Sequence, residues 1–164
     1  MLICLLWECR NYPEGVYNEL LKSPDFWSLI PASSVLLTQQ DALMIEPLSD
    51  YFFQYDFIGA PWNPNKFFSV AFPEYVAGTF SEYKEVWISS VMNKGWNPPH
   101  SLVGNGGHSI RGVGCMFQIS SAEASTADEP EDVFYARNVE HYSSKIASEV
   151  EARRFSCESS YSFS

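Results

Sequence analysis

Two adjacent carboxylates, Glu131 and Asp132 in "PEDVFYAR", could move a proton. Pro130 sets them at a helix start, where the helix dipole stabilises negative charge with no function attached. As a functional pair, one of them could serve as general base toward an acceptor hydroxyl. Adjacent side chains diverge on a helix, so only one is expected to face a site. A third carboxylate, Asp41, closes the apolar run "LLTQQD" beside Gln39 and Gln40. There it could hold Mg²⁺ or Mn²⁺, which prefer oxygen ligands, or bond ribose hydroxyls. The other reading of Asp41 is an N-cap for the helical turn "DALMIE". His100, His108 and His141 show no paired metal-ligand spacing such as HxxxH. Of the three, His108 has the best functional claim, because it lies beside a run of glycines.

That run is "VGNGGHSIRG", with Asn105 between Gly104 and Gly106–Gly107, and Ser109 and Arg111 following. It has neither the GKS/GKT ending of a Walker A loop nor GxGxxG spacing, so phosphate cradling by those routes is unsupported. Glycines let a backbone pass close to a ligand, and Asn105 brings a donor and an acceptor. The plainer reading is a tight turn before a buried strand. In "YDFIGAPW", Asp56 begins an apolar run and a rigid Gly-Ala-Pro turn displays Trp62. Trp62 could stack on a sugar or base, or fill the core beside a proline turn.

The elements that must position these residues are short. "YNELLKSPDFW" predicts a helix stopped at Ser23-Pro24, and "SVLLTQQD" predicts a buried strand opening into a site at its C-terminal end. "PLSDYFFQYDFIGAPW" predicts a helical turn, then a strand from Asp56 to Gly59 stopped by Pro61. Residues 63–100 read as loop-rich, with "EYKEVWISSV" undecided between helix and strand. "GCMFQISSA" reads as a short helix weakened by Gly112 and Gly114. "EASTADEPED" is an acidic loop. The stretch "EDVFYARNVEHYSSKIASEVEARRF" reads as helix, broken near Asn138, with Val139, Tyr142, Ile146 and Val150 as an apolar stripe. Strands alternating with helices predict an α/β layered fold.

Size and charge narrow the function classes. The 164 residues are enough for one domain with its own core, expected over 1–158 with a frayed tail at 159–164. Aromatics at 16% suit a dense core or a sugar-binding cleft. A net charge of −10 disfavours a nucleic-acid partner. The four cysteines lack CxxC spacing and read as reduced thiols. The opening "MLICLLWECR" is too short to span a bilayer and lacks the n-region and cleavage site of a signal peptide; it reads as a buried strand, in a cytoplasmic protein by default.

Taken in order, the blocks "LLTQQDALM", "YDFIGAPW", "VGNGGHSIR", "EDVFYAR" and "FSCES" resemble a glycosyltransferase-like family catalogued as a domain of unknown function. The resemblance covers most of residues 17–158. It implies a GT-A-like three-layer sandwich: a mixed, mostly parallel sheet flanked by helices and incomplete at the N-terminus. It implies a nucleotide-sugar donor, a sugar or other hydroxyl acceptor, and Mn²⁺ or Mg²⁺ held by Asp41. Asp132 becomes the expected base, with Glu131 as the alternative. Trp62, Asn105, Gly106, Gly107, Ser109 and Arg111 become expected substrate-binding residues, Arg111 anchoring the glycine turn or meeting a phosphate. The family pattern extends further at both ends, so a shortened chain with weakened donor binding, up to loss of activity, is also expected. Two competing readings stand beside transfer. One is a non-catalytic carbohydrate- or partner-binding remnant; the other is a metal hydrolase using Asp41, Glu131 and His141.

Overall fold

A computed structural model of the chain describes residues 14–39, 42–62, 103–126 and 129–156. Asp41, His100, the strand expected at the N-terminus, the loop-rich stretch 63–100 and the tail 159–164 lie outside the described residues. Helix α1 spans Glu14–Leu21, and Pro24 opens α2, Pro24–Ser28, where its missing N–H is harmless in the first turn. Strand β1 is Ser34–Thr38, a 3₁₀ turn covers Asp50–Gln54, and β2 is Phe57–Pro61. Strand β3, Val103–Gly112, runs directly into helix α3, Val113–Ala122. Helix α4, Glu131–Asn138, passes into a 3₁₀ turn at Val139–His141, and α5, Glu149–Phe155, follows. The break expected near Asn138 falls there. Ser148 and Glu151 form a capping box that starts α5.

The sheet has the order β1-β3-β2, and both outer strands run antiparallel to β3. This overturns the expected mostly parallel GT-A-like sandwich: the described residues form a small three-stranded antiparallel sheet with helices. The physical reason lies in β3. The glycines read as a tight turn before a buried strand because glycine is a poor strand former, yet here they are themselves part of the central strand Val103–Gly112, paired on both edges. Once that strand lies between β1 and β2, those two run in the same direction without pairing with each other.

The core lies between the sheet and α2, α3 and α4, and Trp27, Phe57, Ile58, Ile110, Met116, Ile119, Phe134 and Tyr135 are fully buried in it. Trp62 belongs to the same core at the end of β2. Two polar anchors join the helices. The Trp27 indole N–H lies 2.7 Å from both Leu21 O and Tyr135 Oη, and Tyr135 donates to Leu21 O at 2.6 Å. The Lys22 ammonium donates to Thr126 O and Glu129 O at 2.6 and 2.7 Å, tying down the acidic loop. Among the described residues no helix is long and apolar enough to cross a membrane.

Candidate functional site

The glycine stretch is a strand with a wide irregularity. Along β2, Gly59 pairs with Ser109 but the next residue, Ala60, pairs with Asn105, so Gly106, Gly107 and His108 are skipped. On the other edge Thr38 stays opposite His108, and the Gln39 N–H donates to Gly107 O at 2.8 Å. A bulge of this kind re-aims the backbone away from the ladder.

Close packing inside the protein accounts for the glycines around it. Gly104 has φ +102°, and an added Cβ would enter the Phe57 ring. A Cβ on Gly59 would stand 2.7 Å from Asn105 O. At Gly106 it would stand 2.6 Å from Glu131 Oε1 and 3.2 Å from Asp132 Oδ2. Gly107 is roomier: its nearest neighbour would be the Gln39 amide oxygen at 3.3 Å.

Asp132 faces this bulge. Its Oδ2 accepts from the Gly106 N–H at 3.0 Å, and Oδ1 accepts from the Val133 N–H at 2.9 Å. The side chain remains partly exposed. Surrounding protein raises its proton affinity above that of an ordinary aspartate, and the Gly106 N–H opposes that rise. Asn105 Oδ1 accepts from the Gly107 N–H at 3.2 Å, which fixes its amide beside the same bulge. Thus Asn105, Gly106, Gly107 and Asp132 come together.

Glu131, Arg111 and Ser109 lie behind them, out of reach of solvent. Arg111 Nη1 meets Glu131 Oε2 at 2.8 Å, its Nη2 lies 3.4 Å from Oε1, and its Nε donates to Ser109 Oγ at 3.1 Å. The guanidinium carbon sits 4.9 Å from the Phe57 ring centroid and 5.3 Å from that of Tyr135. Arg111 therefore anchors the strand from within. Burial pushes Glu131 up to about 7; Arg111 pulls it down, and Asp132 adds to the rise. The side chains of Glu131 and Asp132 do not diverge fully, since an oxygen of each closes on Gly106.

His108, at the far side of the bulge, is hydrogen-bonded through Nδ1 to Thr38 Oγ1 at 2.5 Å and stacks on Phe155 with centroids 5.1 Å apart. Partial burial lowers its proton affinity. His141 is exposed on the 3₁₀ turn after α4. Asp56, Ser143 and Lys145 make a structural link: Ser143 Oγ donates to Asp56 Oδ2 at 2.6 Å, and the Asp56 N–H donates to Lys145 O. Among the described residues no three His, Cys, Asp or Glu side chains are grouped to hold a metal. Asp41, the expected ligand for Mn²⁺ or Mg²⁺, lies outside the described residues. Sequence reasoning missed the contact of Gln39 with Gly107; the signal for it would have been the strand pairing itself.

A family model described as "Protein of unknown function (DUF5672)" matches residues 12–164. The chain belongs to this family. No curated protein and no solved structure matches it. The family description names no activity, so membership in DUF5672 alone does not assign sugar transfer to the bulge and Asp132.

Proposed function

We propose that the surface formed by Asn105, the Gly106–His108 bulge and Asp132 transfers a sugar from a nucleotide-sugar donor to a hydroxyl acceptor. The observation that carries this reading is the Asp132 carboxylate: partly exposed, oriented by the Gly106 N–H at 3.0 Å, and raised in proton affinity. A base so tuned ionises closer to neutrality, where proton removal is most effective. Asp132 takes the proton of the acceptor hydroxyl as that oxygen bonds to the anomeric carbon. The bond from that carbon to the diphosphate oxygen breaks, and the nucleoside diphosphate leaves with the electron pair. Asn105 supplies hydrogen bonds to the sugar hydroxyls. The donor class is what the resemblance to a glycosyltransferase-like family implies.

The test is release of nucleoside diphosphate from a panel of nucleotide-sugars with simple hydroxyl acceptors and Mn²⁺. Asp132→Asn is expected to lower kcat by about 100-fold or more with KM little changed. Turnover insensitive to Asp132→Asn overturns the role of Asp132. Saturable sugar binding without turnover, seen by calorimetry, replaces transfer with a carbohydrate-binding function.

A further inference from the structure

The Arg111–Glu131 pair is more than a buried anchor, because of what stands next to it. Glu131 is the immediate neighbour of Asp132, and both carboxylates border the space that a Cβ on Gly106 would fill. Only glycine leaves that gap open: a Cβ would stand 2.6 Å from Glu131 Oε1 and 3.2 Å from Asp132 Oδ2. Arg111, wholly buried, is the cation behind both, fixed by Ser109 and by the rings of Phe57 and Tyr135. We propose that Glu131 and Asp132 form one coupled carboxylate pair around Arg111, with Glu131 the positioning residue that sets how readily Asp132 takes up a proton.

Like charges held this close, with Glu131 buried, do not ionise independently. The buried guanidinium favours the ionised form of both, but it is bonded directly to Glu131. Asp132 feels the sum of the two. The other groups around the pair are few. Lys22 from the end of α1 attracts Glu131 weakly, and the ring of Tyr135 lies on α4 itself. The Glu131 N–H donates to the neutral Asn18 side chain at 3.5 Å. His108, further along the bulge, is turned to Thr38 and Phe155.

Carbon-detected NMR of the side-chain carboxyls, from pH 4 to 9 with no sugar present, reads this coupling. Glu131→Gln releases Arg111 from its direct partner and leaves it to Asp132, so the midpoint of Asp132 is expected to fall by about 1 pH unit or more. Coupling is reciprocal, so Asp132→Asn should lower the midpoint of Glu131 comparably. This second variant keeps the buried ion pair and decides the matter if Glu131→Gln does not fold. Glu129→Gln, which removes the partner of Arg137 and leaves the Arg111–Glu131 pair intact, should move neither midpoint. A Glu131 midpoint unchanged in Asp132→Asn overturns the proposal. As a device of catalysis the pair rests on Asp132 being the base. Its titration needs no turnover, so failure of sugar transfer and failure of coupling are separately visible. Where transfer holds, the acid limb of kcat/KM moves with the Asp132 midpoint.

Discussion

Gly106 and Gly107 are neighbours in sequence with different reasons to be glycine. Behind Gly106 stands a Glu131 carboxylate that cannot yield, because Arg111 holds it at 2.8 Å and is itself packed on two rings. Gly106→Ala is therefore expected to destabilise the fold by about 1–3 kcal/mol through overpacking. Beside Gly107 the one tight neighbour is the amide of Gln39, an exposed side chain free to turn, and Asn105 Oδ1 stands at an ordinary 3.6 Å, so Gly107→Ala should stay within about 0.5 kcal/mol of wild type. Urea denaturation of both variants checks the contrast, and equal losses would show that the Glu131 contact does not dictate the glycine. The sequence "GNGG" revealed that the backbone approaches something closely. It did not reveal what, because the approaching groups include carboxylates about 25 residues further along the chain, brought there by α4.

At the scale of elements, boundaries were readable where punctuation is local. Pro130 marks a helix start, while Pro24, read as the stop of one helix, also opens the next, Pro24–Ser28. The helix ends at Asn138 although Val139, Tyr142, Ile146 and Val150 keep helical spacing beyond it, and Val150 is exposed. That β3 begins before its glycines was not readable, for two reasons. Its residues are largely buried on both faces, so no polar–apolar alternation marks it. Its glycines lower strand propensity, and only pairing on both edges offsets that. The antiparallel topology followed from β3 and was hidden with it. The docking of α1 and α2 onto α4 was equally invisible, since it depends on Leu21, Trp27 and Tyr135 meeting across more than a hundred residues. The Tyr135 hydroxyl lies between Leu21 O at 2.6 Å and the Trp27 indole at 2.7 Å. Tyr135→Phe is expected to cost about 1–2 kcal/mol, because the Leu21 carbonyl loses a buried donor but keeps the indole. Thermal and chemical denaturation measure the loss. A change below about 0.3 kcal/mol would mean that the apolar contacts alone dock the helices.

For the whole molecule, the response to pH exposes whether the buried acid pair behaves as its surroundings dictate. The chain carries a net charge of −10, so it grows more negative across the range where Glu131 titrates. Glu131 moves from an ordinary 4.5 to about 7 in the fold. A group whose proton affinity is raised by folding stabilises the protein fully below its unfolded value and loses that contribution as pH climbs to its folded value. Asp132 is shifted in the same direction. His108 acts the opposite way: its affinity is lowered, so its contribution is present above about 6.5 and lost as pH falls. Raw thermal midpoints mix these effects, and a comparison with Glu131→Gln separates them. Any stability advantage of wild type over Glu131→Gln should shrink between pH 4.5 and 7 and then level off. If Arg111 instead kept Glu131 ionised throughout, its affinity would lie below 4.5, and the advantage would grow as pH rose through 4 and stay flat above 5. Thermal midpoints of the two proteins at half-unit steps from pH 4 to 8, at one ionic strength, distinguish these slopes by sign.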